Sequence, residues 1–483
     1  MKSQVGDAQR TAETIVGLLL ASAVGVLLAA CSETPVKTET DVPSAFTYAD
    51  PQTVLWPGSR WYEAFGSAEL TRFIDSAQRD NLDLMAAAAR VRQADARARA
   101  AGAALLPQVD VGPSVSHFAG NSGGTSANET DWSLLASASY EFDFWSKNSA
   151  ASEASRAAAA ATRADLGSAA LTLVGAIANE YFSLLSLRER IALAQQNLAS
   201  TREVLAVIEA RFGAGAASAA ELAAQRAAVA VASIEIPELE QQEIETRGAL
   251  AVLLGKAPES FEVAGERLED VKEPVVMPGM PSDLLVRRPD IAAAEANLQS
   301  AHADVAAARA AMFPSLSLTT SAGVQNPAVQ AAVITLQGTG SSLVLSATLI
   351  QTLFDGGRKR AVREEAQGRE EELLATYRLS ILNALLDVEN ALSGMQHLDA
   401  SRAAHSESVE QSQRAFEAAR LRYQAGSGDY LNVLDAQRTL YAAQQQHSLY
   451  RLARLQALIG VYKALGGGWE TTGNDASAQQ SPR

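Results

Sequence analysis

Two periods alternate along this chain. Apolar positions recur at helical spacing through residues 60–106, with an alanine-rich face from Ala86 to Ala104, and Pro107 predicts the end of that helix. The period then drops to two. Val109, Val111 and Val115 alternate with Asp110, Gly112, Ser114 and Ser116. A polar stretch at 120–131 reads as a loop, after which Trp132, Leu134, Ala136, Ala138, Tyr140 and Phe142 alternate with Ser133, Ser137, Ser139 and Glu141. The second half behaves alike. Leu316 and Leu318 alternate with Ser315, Ser317 and Thr319, and Leu343, Leu345, Ala347 and Leu349 with Ser342, Ser346 and Thr348. The pattern predicts strands at about 108–117, 132–142, 315–324 and 342–352. Each is about ten residues long, the length of a tilted membrane-spanning strand.

Long helical patterns leave the strands, at 150–211 and 359–424, with return partners at 217–256 and 429–465. At 1.5 Å per residue the outgoing helices reach about 90–100 Å, a length that suits coiled-coil packing. Pro237 predicts a kink or break in the first return helix. Between the partners lie two tips. Arg211-Phe212-Gly213-Ala214-Gly215 precedes Ser218, and Arg422-Tyr423-Gln424-Ala425-Gly426 precedes Asp429. Glycine stops a helix by taking positive φ, and Ser or Asp caps the next one. The tips recur at an offset of 211–212, and Ala103–Pro107 is echoed by Ala310–Pro314 at 207. Phe142-Asp143 returns as Phe354-Asp355. The chain therefore reads as two copies of one unit of about 200 residues, far longer than a solenoid repeat.

Four strands cannot close a barrel, and a bilayer tolerates no unpaired strand edge. Several chains must therefore share one barrel. Eight strands would be filled by their own side chains, so a passage for solute favours three chains or more.

Composition narrows the picture. The 483 residues carry a formal charge of −15, which argues against a nucleic-acid partner. A single cysteine excludes an intrachain disulfide. The five histidines are scattered without metal-ligand spacing, and no nucleophile motif or catalytic carboxylate pair is present, so nothing points to an enzyme or a bound cofactor. Residues 15–30 form an apolar run, too short for a comfortable transmembrane helix, that ends in small residues before Cys31. Leu28-Ala29-Ala30-Cys31 resembles a bacterial lipobox. That resemblance implies a signal peptide over 1–30, a diacylglycerol and N-acyl lipid on Cys31, and outer-membrane sorting, because Ser32 rather than Asp follows. A Pro-containing linker spans 31–59. The first repeat is expected over 60–256, a Pro-rich linker over 257–281, the second repeat over 282–465, and a flexible tail over 466–483.

With those landmarks the chain resembles the TolC-like outer-membrane factors of bacterial tripartite efflux pumps, in particular the lipoprotein branch serving resistance-nodulation-division transporters. The likeness covers about residues 31–469 and rests on Cys31, Arg287–Ile291, Ala311–Pro314, Phe354–Arg358, Arg422–Leu440 and Tyr462–Trp469. It implies a mainly α fold with a membrane β-barrel: a homotrimer with twelve strands, four per chain, continued by a helical periplasmic tunnel. It implies an inner-membrane transporter and a periplasmic adaptor as partners. The adaptor would dock on the tips at Arg211, Phe212, Gly215, Arg422, Tyr423 and Gly426. A gate would be formed by Leu431, Asp435 and Arg438, with Arg438 pairing Asp435 of its own or a neighbouring chain. Ala219 and Ala223 replace the first two in the other hairpin, and only Arg226 is kept. The expected function is passive conduction of drugs or other small solutes. The alternatives are a type I protein-secretion channel and a periplasmic coiled-coil scaffold lipoprotein.

Overall fold

The computed structural model describes residues 43–48, 58–122, 125–275, 281–325 and 341–469. The signal segment, Cys31 with its lipobox, most of the 31–59 linker and the tail from 470 onward lie outside the described residues.

Helix lengths repeat between the halves. After a 3₁₀ turn at Trp61–Phe65 come α1 (Ala68–Asp80) and α2 (Leu82–Ala103), then β1 (Gln108–Ser122), β2 (Thr125–Phe142), α3 (Lys147–Gly213) and α4 (Ala219–Leu253). Short 3₁₀ turns and one helical turn, Leu284–Arg287, lead to α5 (Pro289–Ala310), β3 (Ser315–Gln325), β4 (Ser341–Ile350), α6 (Arg358–Gln424) and α7 (Tyr430–Ala464). Helices α2 and α5 each have 22 residues, α3 and α6 each 67, and α4 and α7 each 35. Sixty-seven residues make a helix of about 100 Å.

The duplication extends to single contacts. Asn81 Nδ2 donates to the Leu253 carbonyl at 2.9 Å, and Arg288 Nη1 donates to the Ala464 carbonyl at 3.1 Å. These donors are 207 positions apart and their acceptors 211, the offsets already read from the sequence. In both halves the start of the repeat is tied to the end of its last long helix.

Four expectations are corrected. The helical pattern at 60–106 is not one helix. It breaks at Asn81, which is extended (ψ 127°) and whose Oδ1 accepts from Leu84 N–H at 2.8 Å to cap α2. The polar stretch at 120–131 is not a loop over its described residues, 120–122 and 125–131. It pairs as strand, with Gly120 opposite Ala127 and Ser122 opposite Thr125, because main-chain bonding is indifferent to polar side chains. Of the kink or break expected at Pro237, the break does not occur: α4 runs through it. The residue is exposed, so the carbonyl deprived of a partner can turn to water. The tail is ordered as far as Trp469. Gly466, Gly467 and Gly468 all have positive φ, and a Cβ on Gly468 would overlap the backbone of Gly58.

The strands form one antiparallel sheet in the order β1-β2-β3-β4, so the β2–β3 pair joins the two halves. Register aligns one apolar face across it. Val111, Ala136, Ala322 and Leu343 form one row, and Val109, Ala138, Thr320 and Leu345 the next. The opposite face is rich in hydroxyls, with Ser114 bonded to Ser133 at 2.7 Å and Thr319 to Ser346 at 2.9 Å. The apolar face is open in the single chain; Val109, Val111, Leu345 and Leu349 are all exposed. The main hydrophobic core lies below the sheet, where Trp61 stacks on Tyr462 at 4.8 Å and Phe65 meets Phe182 at 5.1 Å.

Candidate functional site

The two hairpin tips are built by the same hydrogen bonds. At the end of α3 the Ala216 N–H donates to the Arg211 carbonyl and the Gly215 N–H to the Phe212 carbonyl; at the end of α6 Ser427 donates to Arg422 and Gly426 to Tyr423. Both are Schellman endings, and Gly215 and Gly426 sit at the left-handed position with φ of 73° and 78°. New helices begin at once. Ser218 and Glu221 form a reciprocal capping box for α4, and Asp429 Oδ1 accepts from the Leu431 N–H at 3.0 Å to cap α7.

The tips are clipped to each other. Arg211 Nη1 donates to the Tyr423 carbonyl at 2.7 Å, and its guanidinium lies 4.5 Å from the centre of the Tyr423 ring. Tyr423 is buried, and burial pushes its hydroxyl pKa up. The structure thus divides the six proposed docking residues. Phe212, Gly215, Arg422 and Gly426 are on the surface, and nothing stands where a Cβ would project from either glycine. Arg211 and the Tyr423 ring are spent on holding the tips together.

Leu431, Asp435 and Arg438 lie on one exposed face of α7, opposite a buried stripe of Tyr430, Val433, Gln437 and Leu440. Leu431 is 63% exposed. Within the chain Asp435 and Arg438 form no ion pair among the described residues, so the own-chain pairing is absent. The corresponding Arg226 is engaged elsewhere, with Glu209 at 2.9 Å.

A buried polar group behind this face was missed from sequence. Tyr430 OH donates to Gln225 Oε1 at 2.7 Å, Gln225 Nε2 to the Thr201 carbonyl at 2.7 Å, and Gln437 Nε2 to Thr201 Oγ1 at 2.8 Å. All four residues are buried, and together they cross-link the hairpins. The available signal was the recurrence of Ala-Gln-Arg at 224–226 and 436–438. Gln225 and Gln437 are the same position in the two repeats.

The Arg287–Ile291 motif serves the other end of the helices. Arg288 forms ion pairs with Asp290 at 2.7 Å and Asp387 at 3.0 Å. Burial opposes ionisation of Asp290, but the Arg288 bonds and charge outweigh it and hold the carboxyl below its ordinary pKa. Among the described residues no cluster of His, Cys, Asp or Glu is placed to hold a metal.

Comparison with known proteins agrees with this geometry. The family model for outer membrane efflux proteins matches twice, over residues 73–256 and 280–467, once per repeat. The chain is 42% identical to the pyoverdine export outer membrane protein OpmQ of Pseudomonas aeruginosa, across 92% of this chain and 96% of that protein. It is 29% identical to the cation efflux system protein CusC of Escherichia coli, across 93% and 99%. Among solved structures it is similar to the outer-membrane channel OprN, with a TM-score of 0.84 at 25% identity over 91% of this chain and 99% of that one. The chain therefore belongs to the outer membrane efflux protein family and serves at the outer membrane as the channel component of a tripartite efflux system.

Proposed function

We propose that three copies of this chain form a passive exit duct, with twelve strands closed into one barrel and the long helices continuing it into the periplasm. The observation behind this reading is the sheet. It has a continuous apolar face, a hydroxyl-lined face and two outer edges, β1 and β4, unpaired among the described residues of one chain. Three such sheets joined edge to edge remove every edge and leave room for solute. The diacylglycerol and N-acyl lipid on Cys31 anchor the amino terminus in the same membrane. A periplasmic adaptor docks on the surface formed by Phe212, Gly215, Arg422 and Gly426, and Arg211 and Tyr423 fix the shape of that surface. Around a threefold axis, rings of Leu431, Asp435 and Arg438 close the tunnel, with Arg438 reaching Asp435 of a neighbouring copy. Energy comes from an inner-membrane transporter of the resistance-nodulation-division type.

The names of two relatives at 41% and 42% identity state pyoverdine export, so pyoverdine is the first solute to test. A strain whose only outer-membrane efflux channel is this protein should lose export of the solute when the gene is deleted and regain it on complementation. Unchanged export after deletion would contradict the reading.

A further inference from the structure

We propose that the collar where β4 hands over to α6 binds the phosphate of an anionic glycerophospholipid in the periplasm-facing leaflet of the outer membrane; this rests on the barrel reading above. Residues 349–363 run Leu-Ile-Gln-Thr-Leu-Phe-Asp-Gly-Gly-Arg-Lys-Arg-Ala-Val-Arg, an apolar half followed by a basic half. Leu353 is 94% exposed and Phe354 90%, the most exposed large apolar side chains described. They follow β4 in the chain, beyond the row in which Phe142 and Leu349 flank Leu316. Gly356 and Gly357, with φ of 67° and 87°, then turn the chain into α6.

The basic half breaks a local rule. The positive end of a helix dipole favours acidic residues in the first turn. Here α6 has none in its first turn and opens on Arg358, Lys359 and Arg360, with Arg363 one turn on. Among the described residues none of these four cations forms an ion pair with a carboxylate of its own chain. Asp355 offsets part of this charge: its two oxygens accept from the Lys359 and Gly357 backbone N–H groups, and those bonds with the Arg358 and Lys359 charges hold its carboxyl below the ordinary range. The matching helix of the first repeat does not share the imbalance, because Lys147 is paired with Glu141 at 2.6 Å. Four cations against the single Asp355 carboxylate leave the helix N-terminus positive, which favours an anion from outside the chain, and Leu353 and Phe354 beside them favour hydrocarbon. One molecule in that leaflet supplies both: the acyl chains lie against Leu353 and Phe354 while the phosphate meets Arg358, Lys359 and Arg360.

The test uses the purified full-length trimer in mixed micelles of phosphatidylglycerol and phosphatidylcholine. Protein is separated from free micelles, and retained lipid is counted by class. The wild type should retain phosphatidylglycerol preferentially, and each cation removed in Arg358→Gln, Lys359→Gln and Arg360→Gln should lower that retention about fivefold. High salt should do the same to the wild type, which keeps the test decisive where a variant fails to fold. Equal retention of the two lipids, or a salt-indifferent preference, would overturn the proposal. A Phe354→Trp protein whose fluorescence gains no quenching by brominated acyl chains over that of the wild type, which has Trp132 exposed on the apolar face, would overturn it too, by showing that a neighbouring copy covers the apolar half. Oligomer mass, read on the same sample, separates the two readings. A monomer defeats the trimeric duct, whereas an intact trimer without lipid preference defeats only this proposal.

Discussion

At the scale of residues, the repeat is held together by glycines that permit backbone-to-backbone approach. Gly255 ends α4 with φ of 67° and Gly466 ends α7 with φ of 86°. A Cβ at Gly255 would overlap the Asp80 carbonyl, and one at Gly466 the Arg287 carbonyl. Gly215 has the same backbone angle but open space around it. Gly255→Ala should therefore lower stability by about 1–3 kcal/mol more than Gly215→Ala, measured as the difference in thermal unfolding midpoint. A second prediction concerns pH. His447 packs beside Tyr450 on α7, with its Nδ1 buried and without a hydrogen-bond partner. Burial first, then the charge of Arg451, push its pKa below the ordinary histidine value, against an opposing pull from Glu189 that exceeds the small further push of His405. The unfolded chain then takes up a proton that the native state refuses. Stability contributed at higher pH is lost as pH falls from about 6.5 toward the depressed native value. His447→Gln should flatten the fall in unfolding midpoint over that window; an unchanged slope would assign it to other groups. Turn chemistry of this kind was legible in the sequence, since Gly215, Ser218, Gly426 and Asp429 all act where their residue types predicted. The Thr201–Gln225–Tyr430–Gln437 group was not, because a buried glutamine and an exposed one look alike until the packing is known.

At the scale of elements, the long helices could be read almost to the residue because their period is long and uninterrupted. The expected 150–211 and 359–424 became Lys147–Gly213 and Arg358–Gln424. The strands were legible only where one face is apolar. Their polar continuation through 120–131 has the composition of a loop, and its pairing is set by the register of the whole hairpin. Asn81 was hidden because a residue that stops one helix and caps the next leaves the apolar period undisturbed. Within the sheet the halves join at β2 and β3, where Gly323 faces Leu135 in register. A side chain there would overlap the Leu134 carbonyl and crowd the Leu135 side chain. Gly323→Val should thus separate the two hairpins and abolish the heat-modifiable band shift of a folded barrel in gel electrophoresis. A normal shift would mean that the sheet tolerates the loss of that pairing.

At the scale of the whole molecule, one chain is incomplete. Its sheet presents apolar residues to the surroundings, its edges are unpaired, and Leu431 stands exposed at a helical tip. In the proposed threefold barrel the strand edges pair between copies and the bilayer covers the apolar face, an arrangement no single motif encodes. The most direct test joins oligomer mass in detergent with planar-bilayer conductance, for the wild type and for the Asp435→Ala, Arg438→Ala double variant. The account predicts a trimer of low conductance that rises severalfold when the charged ring is removed. A monomer that never inserts, or a trimer whose conductance is the same in both proteins, would contradict it.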